Sequence, residues 1–151
     1  MKRTLFSITA ALIFISAMLF AGGEKGELSG VISGAHCGIN GMQCPPAHDL
    51  TRSEVPGIFT DNNDFFFFTN IPQDYIAQWA FKPAKVEGTV YQKARAVDAV
   101  RISVKESGVW KTRYENGDIF DPMGHAVKLA DAVVIDGKWY CGACAAMKMK
   151  Q

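Results

Sequence analysis

Polar and apolar residues alternate along two stretches of the chain: Val86, Gly88 and Val90 against Lys85, Glu87 and Thr89, then Val100, Ile102 and Val104 against Arg101, Ser103 and Lys105. A period of two puts one set on each face of a strand, so both stretches predict half-buried strands. Upstream, residues 28 to 33 predict a first strand. Residues 57 to 60 and 65 to 69 flank Asp61-Asn62-Asn63-Asp64, whose turn chemistry predicts a hairpin. Phe65, Phe66, Phe67 and Phe68 cannot all face one side, so one pair needs cover on the opposite face, and the C-terminal segment is the expected cover. The period then changes. Tyr75, Ile76 and Trp79 recur at helical spacing after Pro72, with Asn70 as the expected cap and Lys82-Pro83 as the stop.

After Val109-Trp110-Lys111 the pattern breaks into short pieces, with turns expected at Asn116-Gly117 and Asp121-Pro122. Residues 132 to 135 and 138 to 141 are apolar runs joined by Asp136-Gly137, the strongest short hairpin signal in the chain, and a short helix is expected after Gly142. Three strands, one helix and two strands is the order in which an oligonucleotide/oligosaccharide-binding (OB) barrel places its helix between strands 3 and 4. Residues 27 to 105 also resemble small exported bacterial proteins of that barrel type, in Gly30-Val31-Ile32 followed by a Cys-containing loop and in Val86-Glu87-Gly88-Thr89-Val90. The expected fold is mainly β (α+β): a small OB-like five-stranded barrel over residues 24–114, and a C-terminal β-hairpin with a short helix over 115–151, packed on it.

The start of the chain changes the setting. Lys2 and Arg3 precede an apolar run from 5 to 20, and small residues follow at Ala21, Gly22 and Gly23, the pattern of a cleavable export signal over 1–23. Ser7, Thr9 and Ser16 interrupt the run, which favours cleavage over a membrane anchor. The expected location is therefore periplasmic or secreted, with no stable membrane association after cleavage. Without the signal, 14 basic side chains face 15 acidic ones, a balance that gives no general pull toward nucleic acid. Residues 82 to 113 carry 8 basic and 3 acidic groups, but the basic ones alternate with apolar neighbours, as on the solvated faces of strands.

Export makes the four cysteines the centre of the chemistry, because thiols outside the cytoplasm are oxidised, metal-bound or catalytic. Cys141 and Cys144 form a Cys-x-x-Cys where a hairpin strand meets a helical turn, so both sulfurs can face one centre. Asp121-Pro122-Met123-Gly124-His125 followed by Asp136-Gly137-Lys138-Trp139-Tyr140-Cys141-Gly142-Ala143-Cys144 resembles YHS- and TRASH-type metal-binding segments, which carry Asp-Pro-x-Cys-Gly, Gly-Lys-x-Tyr and a Cys-x-x-Cys. Here Met123-Gly124-His125 stands where that pattern has its first cysteine. The resemblance implies a metal site at Cys141 and Cys144 with His125, or Met123, as third ligand. Such a set suits zinc or copper(I), and Met147 and Met149 add soft donors in the tail.

Cys37 and Cys44 lie in a second cluster, a loop constrained by Gly38, Gly41 and Pro45-Pro46 and bracketed by His36 and His48. A local Cys37–Cys44 disulfide is the first expectation, closing a loop of about 8 residues and contributing about 2 to 3 kcal/mol. The two histidines leave open a Cys₂His₂ site instead. No Gly-rich phosphate loop, Ser nucleophile motif or Cys-x-x-Cys-His haem attachment is present. The expected function is an exported, non-enzymatic protein that binds or handles a soft transition metal. The alternatives are a thiol redox protein using Cys141 and Cys144, and a disulfide-stapled stress or ligand-binding module without metal.

Overall fold

The structure is a computed structural model that describes residues 22–46 and 54–150. Of the expected export segment, residues 1–21 lie outside the described ones, as does His48. Among the described residues no helix is long and apolar enough to cross a membrane.

Strand β1 (Glu24–Gly34) is long enough to serve two neighbours, and that organises the fold. Its second half pairs antiparallel with β2 (Pro56–Thr60), while residues 24 to 31 pair antiparallel with β4 (Pro83–Tyr91). β3 (Phe65–Phe68) returns from β2 through the expected hairpin, where Asn63 takes a positive φ of 62°. β5 (Ala96–Glu106) follows β4 antiparallel and meets β3 in parallel, closing the five strands into a barrel. The expected OB-like barrel is therefore present, with its helix α2 (Gln73–Ala77) between strands 3 and 4. The helix that precedes it, α1 (Ala35–Ile39), leads out of β1 through Cys37. Gly30 lets β1 cross β2 closely, since a Cβ there would lie 2.0 Å from the Phe59 carbonyl oxygen.

Ile32, Ile58, Phe66, Val86, Val97, Ile102 and Val104 fill the barrel, and Tyr75 and Ile76 of α2 pack on the same core. Fully burying each such aliphatic side chain is worth about 1.5–3 kcal/mol. Five residues make too short a helix to stand alone, so α2 exists because its apolar side is covered.

Three expectations need correction. Val100 was expected on the inner face with Ile102, but it is 48 % exposed. The register passes from Glu87↔Arg101 to Gly88↔Ala99, so Val100 is an extra residue in β5. One inserted residue inverts the alternation, which is why Val97 and Ala99 point inward before it and Ile102 and Val104 after it. Asn70 does not cap α2, whose cap position is Pro72. Its amide instead accepts from Ala99 N at 3.0 Å and donates to the Ala99 carbonyl at 2.7 Å, taking a strand's place beside β5. The phenylalanine run is covered not by the C-terminal segment but by α1: Phe66 faces the barrel core, while Phe65 lies under Gly38, where a Cβ would meet its ring at 2.1 Å.

Beyond the barrel the sheet runs on as a meander of β6 (Val109–Glu115), β7 (Asp118–Phe120) and β8 (Ala126–Lys128). Most basic residues of the middle region lie on outer faces, with Arg101 between Glu87 and Glu115 and with Lys85 and Lys105 over the Trp110 ring; Arg113 departs from the expectation, being buried where Glu106 pairs with it. A 3₁₀ turn leads to the hairpin of β9 (Val133–Ile135) and β10 (Lys138–Tyr140), then α3 (Gly142–Lys148). Asp136 and Gly137 have φ of 50° and 71°, as a two-residue hairpin turn requires. Trp139 of this hairpin stacks edge-on against Tyr75 at 5.8 Å, docking it on α2.

Candidate metal centre

Two structural pieces meet at the far end of the meander. The first is the turn from β7 to β8. Asp121 Oδ1 accepts the backbone N–H of both Met123 and His125 at 2.9 Å, folding residues 121 to 125 around the carboxylate. Gly124, with φ of 89°, donates to the Asp121 carbonyl at 2.9 Å, a backbone position that suits glycine. The second piece is the junction of β10 and α3. Cys141 caps α3 by accepting the Cys144 N–H on its sulfur at 3.2 Å, so one sulfur anchors the turn that carries the other.

These pieces bring Asp121, His125, Cys141 and Cys144 together, with their candidate ligand atoms all within 4.8 Å of one another. His125 Nδ1 lies 3.2 Å from Cys144 Sγ and 3.5 Å from Asp121 Oδ2. The two sulfurs are 2.7 Å apart and unbonded. Asp121 and Cys144 are buried, Cys141 is partly open, and the His125 side chain is 60 % exposed, so the cluster has a closed floor and an open rim.

The floor holds an unusual group. Asp121 is fully buried, and its Oδ2 has no hydrogen-bond partner. Burial alone would raise the Asp121 carboxyl, but the nearby Cys144 thiol and the N–H groups of His125, Cys141 and Met123 outweigh it and hold it below its usual value. It is therefore a buried anion with one oxygen satisfied and the other directed at two thiols and an imidazole. Cys141, then Asp121, then burial push the Cys144 thiol up to about 12. Such a thiol stays protonated at neutral pH until a cation displaces its proton.

The barrel holds the floor in place. Arg113, 4 % exposed, donates from Nη1 to the Asp121 carbonyl at 3.2 Å, pairs with Glu106 through two hydrogen bonds of 2.6 and 2.8 Å, and lies 4.5 Å from the Trp79 ring centre. Tyr75 donates its hydroxyl to the Arg113 carbonyl and accepts from Phe120 N at 3.4 Å.

Of the expected ligands, Cys141, Cys144 and His125 are thus together. Asp121, which sequence reasoning takes only for a turn former, joins them. Its signal in the sequence is the spacing Asp-x-x-x-His across an Asp-Pro turn. Met123, Met147 and Met149 are exposed.

In the second cluster Cys37 and Cys44 are buried but not joined by the expected disulfide, and the third group within 4.8 Å is Glu54. Among the described residues the His36 imidazole is not part of that group, although its backbone N–H donates to Glu54 Oε2 at 3.1 Å. Glu54 sits just ahead of β2, and nothing in the local spacing links it to either cysteine.

No family model, no curated protein and no solved structure matches this chain.

Proposed function

We propose that the protein is an exported metal-binding protein that holds one Zn²⁺ through Asp121, His125, Cys141 and Cys144. The observation that carries this reading is Asp121 Oδ2, a fully buried carboxylate oxygen without a hydrogen bond, within 4.8 Å of two sulfurs and an imidazole nitrogen. A buried carboxylate oxygen without a hydrogen bond is costly, and a divalent cation is the partner that its neighbours are equipped to share. A carboxylate, an imidazole and two thiolates form a mixed set that suits zinc; copper(I) prefers sulfur donors throughout. The resemblance of residues 121 to 144 to YHS- and TRASH-type segments supports the same assignment, with His125 and Asp121 standing in for the absent cysteine. The open rim at His125 suits an ion that is taken up and released.

Binding expels the thiol protons, so uptake weakens as pH falls. The test is elemental analysis of protein purified without chelator, beside thiol counting and titration under reducing conditions. Reduced wild type should bind one more equivalent of Zn²⁺ than a Cys141→Ser/Cys144→Ser variant. Equal uptake by the two would overturn the assignment of zinc to these four residues. Export is tested separately by N-terminal sequencing, which should find the mature chain starting between Gly22 and Glu24.

A further inference from the structure

We infer that Cys37, Cys44 and Glu54 form a second zinc site, independent of the first and built into the connection between β1 and β2. Cys37 and Cys44 are 7 % and 2 % exposed and pack against Ala80 and Phe81, so the two thiols are covered from solvent. Each approach to it is fixed by a named contact. Cys44 N donates to the Ser33 hydroxyl at 3.1 Å, which holds the loop against the end of β1. The Cys44 sulfur lies 3.8 Å from the Gly34 carbonyl and 3.7 Å from Glu54 Oε2. The His36 N–H at 3.1 Å fixes that same carboxylate oxygen, and Ala35 N donates to the Val55 carbonyl at 2.9 Å beside it.

A carboxylate held by the backbone against two buried thiols does little for an apolar core and nothing for a plain disulfide, which has no use for a third, anionic neighbour. It is what a thiol-rich cation site needs: two sulfurs and one oxygen within 4.8 Å, with the oxygen oriented by a second hydrogen bond. Cys37 and Cys44 belong to the start of the connection and Glu54 to its end, so an ion here ties both ends of a long loop to the barrel.

The test uses the Cys141→Ser/Cys144→Ser variant, in which the first site is removed. Titrated with Co²⁺ under reducing conditions, it should still bind one equivalent and show sulfur-to-cobalt charge-transfer absorption, and Zn²⁺ should displace the cobalt. Adding Cys37→Ser and Cys44→Ser should abolish that absorption. Adding Glu54→Gln instead, which keeps an acceptor for the His36 N–H and leaves the fold intact, should weaken Co²⁺ binding by about 10-fold or more. Failure of the double variant to bind Co²⁺, or unchanged affinity with Gln at 54, would overturn the assignment, whatever the wild type does at the first site.

Discussion

Arg113 reaches from β6, the first strand beyond the barrel, to the backbone carbonyl of Asp121 at 3.2 Å, while the side chain of Asp121 organises the turn that presents His125. The Asp/His/Cys cluster is therefore not a loop appended to a barrel. Its most buried member is held through the main chain by a buried guanidinium, itself paired with Glu106 and packed on Trp79.

Asp121→Asn should separate the carboxylate's two duties. Asparagine keeps an oxygen to accept from Met123 and His125, so the turn survives, but it loses the charge at Oδ2. Zinc affinity should fall by about 10- to 100-fold with little change in far-ultraviolet circular dichroism. His125→Ala should cost about 10-fold or more, because the imidazole sits on the exposed rim and water replaces it poorly.

Glu106→Gln should destabilise the protein by roughly 3–5 kcal/mol in urea unfolding, because it leaves the Arg113 charge buried without its counter-ion. The pH dependence has a definite sign. Burial pushes the Glu106 carboxyl up, but hydrogen bonds and charge from Arg113, with help from Lys111, bring it below its ordinary value near 4.5. A carboxyl depressed in the folded state stabilises fully above its unfolded value and loses that contribution as pH falls through the folded one. Wild-type stability should therefore drop below about pH 4.5, and the variant should lack that part of the acid dependence.

The barrel was legible because its signals are local. Alternation at Val86–Val90 and Ile102–Val104, the Asn63 turn and Asp136-Gly137 each declare themselves within a few residues. Val100 departs from the alternation because a bulge is defined by the partner strand, and nothing in β5 alone announces it. The cover over Phe65 and the role of Asn70 are contacts between segments distant in sequence, so residue type could not assign them. The site divided the same way. Cys-x-x-Cys is a local motif and His125 was reachable through a resemblance, but Asp121 hid behind its turn chemistry, and Glu54 joins Cys44 only through the pairing of β1 with β2.

That bulge can be checked by substitution. Val100→Thr should change stability by no more than about 0.5 kcal/mol, since its side chain is half exposed. Ile102→Ala, two residues on and 1 % exposed, should cost about 2–5 kcal/mol. If Val100→Thr proved as damaging as Ile102→Ala, the strand would keep a single uninterrupted inner face and the register shift would be wrong.

Trp139→Ala should weaken zinc binding although Trp139 is not a ligand. The site's two halves are mounted separately: Asp121 and His125 on the β7–β8 turn, fixed by Arg113, and Cys141 and Cys144 on the hairpin and α3. Trp139, stacked on Tyr75 at 5.8 Å, docks the second half, and Tyr75 is bonded to Arg113 and Phe120 beside the first. Removing the indole loosens the hairpin, so part of the binding free energy must then be used to order it, and affinity should fall by about 10-fold. Coupling between docking and binding is reciprocal, so zinc should in turn protect the β9–β10 amides from hydrogen exchange in wild type. Unchanged affinity in Trp139→Ala would mean that the hairpin is held in register with the Asp121 turn by contacts other than this one.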